Sequence, residues 1–180
     1  MSPEIKEPPA QQHPGINAFI SLVKHPLKSR LFLFSRLPSA FFAGVRLQDL
    51  DAERCIITVP YKWFTKNPFR STYFACLSMA AEMSSGLLAL AYVHQRDPAI
   101  SMLVIKMEAD FFKKAVGVTS FVCNDGALIA ATINKAIATG QGQTVRVSST
   151  GTNSQGEIVA EFFVTWSFKE KKSKPGVNRR

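Results

Sequence analysis

The chain has 180 residues, 46% of them hydrophobic, with 22 Lys and Arg against 13 Asp and Glu for a formal net charge of +9. This length suits one domain with short extensions, and the composition is that of a globular chain. The positive balance is no argument for nucleic acid: six basic residues and one acid lie between Lys169 and Arg180, so a terminal tail holds +5 of the +9, and no basic stripe interleaved with aromatics crosses the body.

Residues 1–14, rich in Pro and Gln, are expected to be disordered. Ile16, Phe19, Ile20 and Val23 then recur at helical spacing until His25-Pro26 interrupts the ladder. A second short helix starts at Pro26 and carries Leu27, Leu31 and Phe34. This helical extension, residues 15–41, reads as an element packed over the end of a core. Lys24, Lys28, Arg30 and Arg36 beside the apolar residues also suit a helix lying on a membrane, but packing is the favoured reading.

From Phe42 the pattern changes to period two. Val45, Leu47 and Asp49 alternate with Gly44, Arg46 and Gln48; after a turn at Asp51–Glu53, Cys55, Ile57 and Val59 alternate with Arg54, Ile56 and Thr58. The loop from Tyr61 to Phe69 leads into a long helix-compatible segment, Ser71 to Gln95. Beyond it, Leu103, Ile105, Met107, Ala109 and Phe111 define one strand face, with Lys106, Glu108 and Asp110 on the other. A strand over Val118–Cys123 and a helix from Ala127 to about Thr139, closed by Gly140, follow. Thr144–Thr150 and Glu157–Phe168 make a last hairpin, in which Ile158, Ala160, Phe162, Val164, Trp166 and Phe168 share a face. One buried helix and an antiparallel sheet predict an α+β domain over residues 42–168, the sheet wrapped around the helix, with a disordered basic tail over 169–180.

Glu82 is the only formally charged residue between Ser71 and Gln95. Its helix has no proline, few β-branched residues and apolar groups on nearly all sides, so it belongs in a core. The central carboxylate and the serines argue against a membrane span. At helical spacing Ala75, Ser78, Met79, Glu82, Ser85, Gly86 and Ala89 share one mostly small-residue face. Burying an unpaired carboxylate costs several kcal/mol, so its placement there asks for a partner or a chemical role.

Cys55, Cys76 and Cys123 are widely spaced and form no CxxC, which excludes a zinc site and a disulfide framework and fits a reducing compartment. Cys76, in the apolar helix with no histidine or basic neighbour, reads as core. The first residues lack the apolar core of a secretory signal, so the expected location is cytoplasmic. No metal-ligand constellation or phosphate-cradling glycine loop occurs.

The element order, with the segments Thr65–Gly86 and Gly156–Trp166, resembles the hotdog superfamily, and most closely an uncharacterised bacterial branch of its acyl-CoA thioesterase-like members. The resemblance implies that Glu82 acts on the thioester, as general base toward water or as nucleophile. It implies an oxyanion donor among the amides near Tyr73 and Phe74, and a positioning role for Asn67. Ser78, one turn before Glu82, is placed to hydrogen-bond substrate or carboxylate. The implied ligand is an acyl-CoA or other acyl thioester, with no metal, no bound cofactor and no nucleic acid. A homodimer or a dimer of dimers is implied, with the site at the subunit interface. Where many thioesterases of this fold start the helix with His-Gly-Gly, this chain reads Arg70-Ser71-Thr72-Tyr73-Phe74. That departure favours an alternative, a non-catalytic acyl-binding or scaffolding protein of the same fold. Dehydratases of the fold pair a histidine with the acid, and His94 lies about three turns beyond Glu82.

Overall fold

A computed structural model describes residues 14–171. The N-terminal segment expected to be disordered, apart from Pro14, and the tail from residue 172 lie outside the described residues. Three short helices come first: α1 (Pro14–Lys24), α2 (Pro26–Arg36) and α3 (Pro38–Ala43). Each begins with proline, whose fixed φ and missing N–H suit a first helical turn and forbid continuation of the helix before it. Gly44, at φ 79°, closes α3 in the left-handed region. The sequence pattern does not separate α3 from α2, and it counts Phe42 and Ala43 of α3 with the strand region.

The strands are β1 (Arg46–Leu50), β2 (Cys55–Pro60), β3 (Ile100–Phe111), β4 (Val118–Cys123), β5 (Gln143–Thr152) and β6 (Ile158–Glu170). They form one antiparallel sheet in the order β1-β2-β4-β5-β6-β3. The sheet wraps α4 (Phe74–Val93), and α5 (Gly126–Thr139) packs between α4 and β5. Ile57, Phe121, Val147, Phe162, Val164 and Phe168 project inward against Leu88 and its neighbours on α4, each at most 1% exposed. Burial on this scale contributes about 1.5–3 kcal/mol per large side chain. By length and hydropathy α4 would cross a membrane, yet most of it is buried inside this sheet.

Polar contacts fix how α4 is rotated. Ser84 Oγ lies 2.7 Å from Ser149 Oγ on β5, Trp166 Nε1 donates to Ser85 Oγ at 3.0 Å, and Tyr92 Oη donates to the Ala52 carbonyl at 2.9 Å. The helix therefore turns Ser84 and Ser85 into the sheet and leaves Ala75, Ser78, Met79, Glu82 and Leu90 half-buried along another stripe.

Two bulges correct the strand patterns read from sequence. In β1 the register shifts between Leu47 and Asp49, so Leu50 is buried and Asp49 turns outward to Lys24, 2.8 Å away. In β3 it shifts between Val104 and Lys106. Met102 and Val104 pair with the inward Phe168 and Trp166, while Leu103 faces out; beyond the bulge Met107, Ala109 and Phe111 pair with Val164, Phe162 and Ala160 and face in. The expected single face Leu103–Phe111 is thus broken, because a bulge adds one residue and inverts a period-two pattern. A third correction concerns α2. It packs through Leu33, whereas Leu27, Leu31 and Phe34 stay exposed. Finally, β6 runs on through Lys169 and Glu170, two residues assigned above to the tail.

Candidate functional site

Glu82 lines an open cavity of about 740 Å³ whose other walls are mostly apolar: Phe32 and Leu37 from the N-terminal helices, Met83, Leu87 and Leu90 from α4, Met102 and Val104 from β3, and Trp166 from β6. Arg36 is the one cation on that lining. The carboxylate folds over Gly86, one turn along. A methyl group at Gly86 would stand 3.0 Å from Glu82 Oε1 and 3.4 Å from the Trp166 ring, so the missing side chain is the space the carboxylate occupies. Among the described residues the Glu82 carboxylate has no hydrogen-bond or ion-pair partner. Burial alone holds its pKa above the usual carboxylate range, and Arg36 is not among the causes. An unpaired acid of raised pKa on an open cavity suits proton abstraction or nucleophilic attack once it is ionised.

A second apolar space lies on the other side of Phe32 and Leu90. It measures about 490 Å³ and is bordered by Phe19, Leu22, Leu31 and His94. Glu82 and His94 are about 18 Å apart along the helix axis, too far for an acid–histidine pair.

The start of α4 lines a different cavity, about 570 Å³, with Asn67, Thr72, Tyr73, Phe74, Phe111, Lys113 and Lys114 around it. The loop before the helix is tightly tied. Thr65 Oγ1 donates to the Pro60 carbonyl at 2.7 Å, and Thr72 N donates to the Ala115 carbonyl at 2.8 Å. The Asn67 side chain is spent inside this loop. Its Oδ1 accepts from the amides of Phe69 (2.9 Å) and Ser71 (3.2 Å), and its Nδ2 donates to Ser71 Oγ at 3.1 Å. Arg70, at φ 60°, completes the turn. The Tyr73 amide donates to the Thr65 carbonyl at 2.7 Å, whereas the Phe74 amide, at the first helical position, has no acceptor among the described residues. Ser78 Oγ donates to the Phe74 carbonyl at 3.0 Å. Lys114 Nζ reaches the Phe69 carbonyl and Lys113 pairs with Glu157.

The sequence-selected residues therefore fall into two groups. Asn67, Tyr73 and Phe74 surround the helix start, and Glu82 lies eight residues on, about 12 Å along the axis. Sequence reasoning missed Phe32, Arg36 and Leu37 as walls of the Glu82 cavity. Only the docking of the N-terminal helices on α4, through α1 and α3, brings them there, and no local periodicity carries that information. No group of three or more His, Cys, Asp or Glu among the described residues is placed to hold a metal ion.

A six-stranded antiparallel sheet wrapped on one long helix is the hotdog fold, and solved structures with the same architecture agree. The chain is similar to PA5026 of Pseudomonas aeruginosa, a protein of unknown function and probable thioesterase, at 19% identity, with a TM-score of 0.69 over 81% of this chain and 97% of that one. It is similar to OLEI01261 of Chlorobaculum tepidum, of unknown function, at 16% identity, with a TM-score of 0.71 over 86% and 100% of the two chains. It is also similar to PaaI, from the phenylacetic acid degradation operon of E. coli, at 11% identity, with a TM-score of 0.56 over 85% and 98%. No curated protein matches the chain. The chain belongs to the DUF4442 family, a domain of unknown function, matched over residues 29–168.

Proposed function

We propose that this protein is an acyl-thioester hydrolase acting on acyl-CoA, with Glu82 as its general base or nucleophile. The observation that carries the reading is the unpaired Glu82 carboxylate on an open, mostly apolar cavity of about 740 Å³. An acyl chain fills such a space without leaving polar groups unsatisfied. In the base mechanism Glu82 takes a proton from water as the water oxygen attacks the thioester carbonyl. The carbonyl oxygen becomes an oxyanion, held by a backbone amide at a helix start. Collapse breaks the C–S bond, and the CoA thiolate leaves and takes up the proton, giving a fatty acid and free thiol.

The acceptor-free amide of Phe74 is the oxyanion donor in this proposal, and Asn67 holds the loop that presents it. One thioester cannot touch Phe74 and Glu82 of the same chain across about 12 Å. The proposal therefore includes a homodimer in which each protomer's Glu82 faces its partner's helix start. The free edge of β3 supports this. It leaves Met107 (37%) and Phe111 (51%) exposed although both face inward, and a second sheet would cover them. Lys113 and Lys114, around the same cavity as Phe74, suit the CoA phosphates.

A second reading is a non-catalytic acyl-CoA-binding protein, favoured by the exposed Tyr73 and Phe74 rings, 4.9 Å apart, where many thioesterases of this fold have glycines. A panel of acyl-CoA thioesters with free-thiol detection separates the two. Hydrolysis by the wild type that is lost in a folded Glu82→Gln variant supports the enzyme. Acyl-CoA binding without turnover on any thioester supports the binding protein.

A further inference from the structure

Helix α2 buries one residue, Leu33, and turns a different stripe outward: Leu27 is 76% exposed, Leu31 66% and Phe34 53%. Their i, i+4, i+7 spacing puts them on one side of the helix. The stripe does not stop there. The Phe34 ring lies 5.2 Å from Phe41 and 6.4 Å from Phe42, and Phe42 lies 6.4 Å from Phe64 beside the 79%-exposed Trp63. An apolar ridge thus runs unbroken from α2 over α3 to the turn at Trp63–Thr65.

The charge around this ridge has one sign. From Pro14 to Val45 the sequence holds no Asp or Glu, and Lys24, Lys28, Arg30 and Arg36 are its charged residues. Lys24 is taken by Asp49, and the Arg30 guanidinium sits 4.1 Å over the Phe41 ring. Lys28, Arg36, Lys62 and Lys66 remain exposed with no ion pair among the described residues. Aromatic and leucine side chains rimmed only by cations match the headgroup boundary of an anionic bilayer, where apolar groups insert and ammonium and guanidinium groups meet phosphate. A second copy of this surface fits poorly, because it would bring two cationic rims together.

We propose that α2, α3 and the Trp63–Thr65 turn form a docking surface for anionic membranes. The surface adjoins the Glu82 cavity, since Phe32, Arg36 and Leu37 are among its lining residues. A docked protein would hold that wall of the cavity near the bilayer. The inference stands whether or not the cavity hydrolyses thioesters.

The test is co-sedimentation of the full chain with vesicles of phosphatidylcholine alone or mixed with phosphatidylglycerol. Binding is expected to be about tenfold or more tighter on the mixed vesicles and to weaken with salt. Fluorescence of Trp63, distinguished from the buried Trp166 by a Trp63→Phe variant, should shift to the blue on binding. The triple variant Leu27→Ser, Leu31→Ser, Phe34→Ser removes no charge and no buried side chain, so it should fold, by circular dichroism, and lose about tenfold or more in vesicle affinity. Unchanged binding by the triple variant would assign attachment to the Lys-rich C-terminal segment and overturn the proposal. Self-association abolished by the same substitutions, without vesicle binding, would assign the ridge to a second copy and overturn it as well.

Discussion

Replacing Gly86 by alanine tests the local geometry on which the Glu82 site rests. Two effects oppose each other. In a helix interior alanine is favoured over glycine by about 1 kcal/mol. Against this, the new methyl group would stand 3.0 Å from Glu82 Oε1, tighter than an ordinary contact, and 3.4 Å from the Trp166 ring, close to ordinary contact. Trp166 is held by its hydrogen bond to Ser85 and cannot easily give. Glu82 Oε1 is the free end of a flexible side chain with no hydrogen bond, so it moves at little cost. The expected balance is stability unchanged or raised by up to about 1 kcal/mol in urea denaturation. Because the carboxylate is pushed from its resting place, turnover should fall by about tenfold or more. A loss of about 2 kcal/mol or more with turnover intact would refute the reasoning, showing a carboxylate that is rigidly held and a glycine required for packing alone.

Three further outcomes follow from named contacts. Burial raises the pKa of folded Glu82, so the native state keeps its proton at pH values where the unfolded chain has released it; stability then declines as pH rises from the ordinary carboxylate range through the raised value. Glu82→Gln removes that dependence, and urea unfolding should show the variant gaining on the wild type as pH rises through that interval. Gly126→Ala would place a methyl group 2.1 Å from the Ala52 carbonyl oxygen, a backbone atom that cannot rotate away; a loss of about 1–3 kcal/mol is expected in thermal unfolding. Cys55 and Cys123, paired across β2 and β4, are fully buried, and burial pushes the Cys123 thiol up to about 12, so both should resist a thiol reagent until the protein unfolds.

The wrapped-helix architecture was legible because its strongest signals are local. The alternation in β6 and the apolar stretch of α4 each specify an element and a buried face without reference to the rest of the chain. Glu82 stood out for the same reason, as one charge among apolar neighbours. What escaped depends on contacts distant in sequence or on one-residue shifts. The bulge in β3 puts Met102 and Val104 on the same face as Met107, Ala109 and Phe111, and no composition marks it. The outward stripe of α2 looked like a packing face, because a helix that buries one leucine and exposes three apolar residues has the same period as one that does the reverse. Asn67 was chosen for its position before the helix; the structure shows its amide engaged by the turn it begins.

The central claim is that the Glu82 carboxylate performs chemistry on a thioester, and a pH–rate profile tests it most directly. With an acyl-CoA substrate, kcat/KM of the wild type should rise with pH through an acidic limb lying above the ordinary carboxylate range, since the base works only when ionised and burial raises its pKa. Glu82→Gln should abolish that limb together with most of the turnover. A variant that folds, turns over at the wild-type rate and keeps the same limb would contradict the account.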